Sequence, residues 1–175
     1  MKSEKTVNLV LLVIGTLLIS AMIASNGFTN PASNPVFAQG GGEKKFTTNL
    51  AGKNEVPSKD SNATGTAEFT LSSDGKTITY KVDVKGIDKV TMAHIHQGKL
   101  GENGPVAVVL FKAATPTGPE NGALAQGNIT SDKLEGPLKG KQISDLVKLI
   151  EDGNAYANVH TEQNPKGEIR GQISK

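Results

Sequence analysis

ATGTAEFTLSSDGKTITYKVDV, residues 63–84, reads as two β-strands joined by a tight turn. The turn centres on Ser73-Asp74-Gly75, and Asp-Gly signals a hairpin because glycine takes a positive φ without steric cost. Beyond it, strict alternation puts Ile78, Tyr80, Val82 and Val84 on one face and Thr77, Thr79, Lys81 and Asp83 on the other, the pattern of a half-buried strand. Working outward, similar short segments rich in Thr, Val, Ile, Phe and Tyr recur between turn residues. They are KKFTTNL (44–50), VTMAHIH (90–96), PVAVVLF (105–111), ALAQGNIT (123–130), NAYANVHT (154–161) and GEIRGQI (167–173). This spacing predicts a mainly β domain built as an antiparallel β-sandwich. One segment departs from it. In GKQISDLVKLIEDG (140–153), Ile143, Leu146, Val147 and Ile150 recur at helical spacing, predicting one short amphipathic helix near the C-terminal end. Ser144 or Asp145 is expected to cap its start and Gly153 to end it. KAATPTGPENG (112–122), with two prolines and two glycines, is expected to be an exposed loop.

The chain has 175 residues, 36% hydrophobic and 21% charged, which fits one folded domain and argues against disorder. Aromatic residues are only 4%, Trp is absent, and 19 Lys plus Arg face 17 Asp plus Glu. There is neither a base-stacking platform nor a cationic field, so nucleic acid is not an expected partner. The absence of cysteine excludes disulfides, thiolate metal sites, iron–sulfur clusters and cysteine nucleophiles. No G-x-S-x-G elbow, H-E-x-x-H helix or P-loop occurs. A non-enzymatic role is therefore favoured, with enzymatic activity left open.

The first 38 residues read as an address. Lysines near the N-terminus precede an apolar run over 7–24, VNLVLLVIGTLLISAMIA, the layout of an export signal. Eighteen helical residues reach about 27 Å, close to the ~30 Å hydrocarbon core, so retention as a membrane anchor is the alternative. Val36-Phe37-Ala38 offers small residues in the arrangement a signal peptidase reads, and cleavage near Ala38 is favoured. Residues 39–43 then form a flexible spacer and 44–175 the domain. Either way the domain is expected to be exported, extracellular or at the cell surface, and near neutral in charge. Asn62 and Asn128 begin Asn-x-Thr sequons, compatible with glycosylation of an exported chain.

The three histidines of the chain are the most informative polar residues. His94 and His96 share one face of their strand with Met92, and His160 shares a face with Asn158 and Tyr156. If the two strands are neighbours, three imidazoles converge, and neutral imidazole is a good ligand for copper or zinc. The alternative reading has these rings satisfied by backbone carbonyls or neighbouring polar groups. Arg170, the sole arginine, shares a face with Glu168 and Gln172. Its planar fork suits a carboxylate, Glu168 or Glu55, as a structural ion pair tying the last strand to its neighbour or as an anion contact.

Taken in order, FTTNLAGKNEVP, ATGTAEFTL, AHIHQG, NGPVAVVL and NAYANVHTEQNPKGEIRGQI make the chain resemble the CHRD domain family, named for repeats in chordin, over about residues 44–173. The resemblance implies an immunoglobulin-like or superoxide-dismutase-like sandwich and leaves molecular activity undefined. The bimetallic site of copper,zinc dismutases needs six histidines and an aspartate, so three histidines limit this chain to a mononuclear copper or zinc site. Two functions stand at this point: an exported domain with a binding or structural role, and a mononuclear metalloprotein using His94, His96 and His160 for redox chemistry or metal storage. A protein or glycan partner at the cell surface, met through the 112–122 loop, is a third expectation, and the membrane is met only through an uncleaved N-terminal segment.

Overall fold

The structure is a computed structural model that describes residues 43–175. The expected export segment and all but the last residue of the spacer lie outside the described residues. All eight expected strands form: β1 (Lys44–Ala51), β2 (Thr64–Leu71), β3 (Ile78–Ile87), β4 (Val90–Gln97), β5 (Val106–Lys112), β6 (Glu120–Ile129), β7 (Ala155–Thr161) and β8 (Ile169–Gln172). They make one antiparallel sheet in the order β5-β4-β7-β8-β1-β2-β3-β6. This nearly closed sheet is sandwich- and barrel-like, with the end strands β5 and β6 against each other. The Tyr80 hydroxyl spans the closure, donating to the Leu110 carbonyl at 2.6 Å. Leu134 and Glu135 pair with β5 through a bridge to Val108 and a bond to the Ala107 carbonyl. An edge strand that would otherwise present unpaired backbone is thereby partly covered.

The hairpin forms as its sequence dictates. Gly75 has φ +71°, and Ile78, Val82 and Val84 are buried while Thr79 and Lys81 are exposed. Among the described residues one α-helix forms, α1 (Ile143–Glu151), which buries Ile143, Leu146, Val147 and Ile150 in the common core, and Gly153 at φ +71° follows its end. The start differs from expectation. Gln142 is the capping position, and Asp145 lies in the first turn, accepting the Gln142 backbone N–H at 2.8 Å. The helix begins before Ser144 because a carboxylate three residues inside reaches back to an otherwise unpaired donor. The 112–122 segment is shorter as a loop than expected: Lys112 ends β5, residues 113–119 are mostly exposed with Ala113 and Thr117 half-buried, and its last three residues extend β6 by pairing with β3.

The feature that positions the site is a break in the half-buried rule. β7 is buried at every residue. Ala155, Ala157 and Val159 face the core, while Tyr156, Asn158 and His160, on the opposite face, are also buried. β4 behaves likewise, with Ala93 and Ile95 in the core and His94 and His96 buried on the other side. Strands covered on both faces are ordinarily apolar throughout. Here one covered face is polar, and loops near residues 55–59, 103–104 and 166–167 lie over it.

Candidate metal centre

β4 and β7 are antiparallel neighbours, with Met92 opposite His160, His94 opposite Asn158 and His96 opposite Tyr156. This register brings the three imidazoles together. His94 Nδ1 lies 3.0 Å from His160 Nε2, and ring centroids are 4.9 Å (His94–His160), 5.4 Å (His94–His96) and 5.7 Å (His96–His160) apart. On its other side β4 meets β5 with register shifts at Ala93/His94 and Ile95/His96, and such irregularities re-aim side chains next to functional sites.

Backbone carbonyls fix the tautomers. His96 Nδ1 donates to the Gly104 carbonyl at 2.9 Å and His160 Nδ1 to the Pro165 carbonyl at 3.2 Å, so in the neutral rings both Nε2 atoms carry lone pairs. Glycine is required at 104: a Cβ there would collide with the Gln97 carbonyl, and only this close approach lets the loop reach His96. His160 Nε2 accepts from His94 Nδ1, whereas His96 Nε2 is buried with no partner in the protein. Moving the His94 proton from Nδ1 to Nε2 frees a third lone pair without changing net charge.

The donor set fits a metal ion. One nitrogen from each ring falls in a cluster whose members all lie within 4.8 Å of one another. Nitrogens placed tetrahedrally around an ion at about 2.0–2.1 Å stand about 3.4 Å apart, so a pair at the 4.8 Å limit has to close by about 1.4 Å, a rotation of the imidazole side chains. Three nitrogen donors without thiolate suit copper or zinc.

Electrostatics keep the rings neutral. Burial is the main cause, with the neighbouring rings adding to it, and His94 and His160 are each lowered from 6.5 to about 4. His96 is also lowered, by burial and by the positive charge of Arg170, against the opposing effect of its bond to Gly104. Neutral rings at physiological pH present lone pairs rather than protons.

Arg170 acts through a stack. Its guanidinium carbon sits 3.5 Å over the Tyr156 ring, which in turn lies parallel to His96 at 4.9 Å between centroids, and the Tyr156 hydroxyl accepts the Gly104 N–H. The expected ion pair does not form: among the described residues no carboxylate lies within pairing distance of Arg170. Its donors go instead to Asn103 Oδ1 at 3.0 Å and to the Lys99 and Glu102 carbonyls, because the 99–103 loop folds its backbone oxygens over the end of the fork. Glu168 accepts from Ser61, Thr161 and Asn164 at 2.7–3.1 Å. Burial raises its pKa, but these bonds together outweigh it and hold Glu168 below the usual carboxylate value. Glu55 is 6% exposed. Desolvation pushes it up from 4.5 to about 7 against the pull of Arg170 and of the Asn158 side chain.

A cavity of about 470 Å³ opens over this face, lined among others by Glu55, Lys59, His96, Tyr156, His160 and Lys166. Tyr156 and Asn158 were visible in the sequence only as face-mates of His160, and their roles in stacking and in packing beside Glu55 carried no separate signal. Asn62 and Asn128 are exposed, with Asn128 Oδ1 accepting from Thr79 at 3.1 Å. Among the described residues the exposed large hydrophobic side chain is Leu100, at 77%, and the 112–122 loop carries no apolar patch. No significant match exists among curated proteins or among solved structures. The family model of the CHRD domain matches residues 46–173, which take in the histidine cluster and all eight strands but for the first two residues of β1, and the chain belongs to the CHRD domain family.

Proposed function

We propose that this CHRD domain is a binding module whose ligand is a single transition-metal ion, copper or zinc, held by His94, His96 and His160. The observation that carries the reading is the buried, unpartnered His96 Nε2 beside two further imidazoles, with one nitrogen of each ring in a cluster no wider than 4.8 Å. A purely structural triad accounts for the His94–His160 bond and for the two carbonyl contacts, yet it leaves that lone pair without a protein donor, and a buried acceptor that meets no donor at all costs about 1–3 kcal/mol. Rigid strands and carbonyl-fixed tautomers support the same conclusion, since ligating histidines characteristically donate their second N–H to a carbonyl. Bound there, the ion would supply Lewis-acid or redox chemistry. The lysine-led apolar run over 7–24 supports a setting outside the cell, with the domain released or kept at the membrane by that segment.

Titration of the purified chain with Cu(II), Cu(I) and Zn(II) tests the proposal. One equivalent of at least one ion is expected to bind, and His94→Ala, His96→Ala and His160→Ala should each weaken it by more than about a hundredfold, beyond the 10–100-fold of outer-shell losses. Absence of binding to the parent, or equal binding by all four proteins, would overturn it.

A further inference from the structure

The cavity over the histidines contains a second unsatisfied acceptor. Glu55 Oε1 is buried and without a partner, on a side chain that lines the same cavity as His96 and His160. Glu55 Oε1 accepts when ionised, and His96 Nε2 stays an acceptor while His96 Nδ1 is committed to Gly104. The carboxyl is held in place. Asn158 packs beside it, its own Oδ1 also buried and without a partner, and Gly167, at φ +129°, passes so close that an added Cβ would stand 2.6 Å from Glu55 Oε1. Yet Glu55 falls outside the metal-sized cluster, which comprises the three imidazoles alone among the described residues. A buried acceptor that is not a ligand, on the wall of a cavity reaching two of the ligands, calls for an occupant with an O–H or N–H donor. Lys59 and Lys166, also on the cavity wall, give the entrance a positive character.

Building on the reading of the triad as a metal site, we propose that the centre has one exchangeable position reached through this cavity, and that Glu55 Oε1 holds the water or other small protic ligand occupying it. Glu55 is thus a positioning residue. Three protein ligands and a retained solvent position are the pattern of a reactive rather than a closed site.

The test uses Cu(II) followed by azide, both titrated into the same samples of the full chain. Parent protein is expected to take one Cu(II) and then to bind azide saturably, seen as a new charge-transfer band. Glu55→Gln, nearly isosteric and checked for an unchanged thermal midpoint, should keep one Cu(II) within about threefold of the parent affinity. Above pH 7, where Glu55 is ionised, it should bind azide at least about tenfold more tightly than the parent, because a carboxylate charge no longer opposes the incoming anion in a poorly screened cavity. A parent that holds copper but takes no azide would overturn the exchangeable position, without recourse to any variant. Unchanged azide affinity in Glu55→Gln would overturn the role of Glu55, and so would loss of copper, which would make Glu55 a ligand. Failure of the parent to bind Cu(II) is read before azide is added and removes the triad reading itself, and this inference with it.

Discussion

Replacing Arg170 with alanine is expected to destabilise the domain by about 3–5 kcal/mol, the range of large core truncations. Arg170 is 1% exposed, and its fork satisfies Asn103 Oδ1 and the carbonyls of Lys99 and Glu102. Leaving buried acceptors unpaired costs about 1–3 kcal/mol each, which relief from burying the charge offsets only in part. The loss extends to the site, because the guanidinium backs the Tyr156 ring and Tyr156 backs His96. Without that positive charge one of the causes that lower His96 is removed, and the ring should titrate at higher pH. Arg170→Lys keeps the charge but not the planar fork, and should recover only part of the stability. Denaturant unfolding of the three proteins, with histidine titration by NMR, measures both effects. A loss below about 1 kcal/mol for Arg170→Ala would contradict the view that this residue holds the 99–103 loop over the sheet.

The metal-free protein should lose stability steeply on mild acidification. His94 and His160 have folded values of about 4 against 6.5 when unperturbed. Such groups stay neutral in the folded state while the unfolded chain takes up protons. Stability is therefore full above pH 6.5 and falls as pH drops from 6.5 towards 4, by about 3 kcal/mol for each ring. His96 acts in the same direction. Glu55 opposes them: raised from 4.5 to about 7, it stabilises the folded state at low pH and loses that contribution as pH rises from 4.5 to 7. A single carboxyl offsets about one ring, and the net slope remains a loss on acidification. Thermal melts at pH 7, 6, 5 and 4 should show a falling midpoint, and in metal-binding conditions the melt at pH 7 should be raised further. A midpoint flat between pH 7 and pH 5 would contradict neutral buried histidines.

The strands and helix were legible because their signals are local. The alternation in KTITYKVDV, Asp74-Gly75 and the helical spacing of Ile143, Leu146, Val147 and Ile150 each report on a few neighbouring residues. The candidate site was legible only in part. That His94 and His96 share a face follows from the two-residue period, but their meeting with His160 depends on β4 lying beside β7, far apart in the chain, and strand order has no local signature. Glu55 and Arg170 show what is lost at that level. Arg170 stood out as a cation suited to pair with Glu55 or with Glu168, yet burial separated their roles. Arg170 meets backbone oxygens delivered by the 99–103 loop, and Glu55 is carried onto the polar face just after the short turn at Gly52–Asn54. Loop placement over a sheet is set by tertiary packing, and neither periodicity nor propensity encodes it. The burial of polar residues on one face of β7 is the trace such packing leaves, and it becomes visible only once the loops are in place.

The most direct measurement is diffraction at the copper or zinc absorption edge from crystals of the metal-loaded chain. The predicted result is a single anomalous peak among His94, His96 and His160, with one nitrogen of each ring at about 2.0–2.1 Å and the Nδ1 contacts of His96 and His160 to Gly104 and Pro165 retained. Metal found only at surface carboxylates, with His96 Nε2 bonded to a protein atom or to water instead, would contradict it.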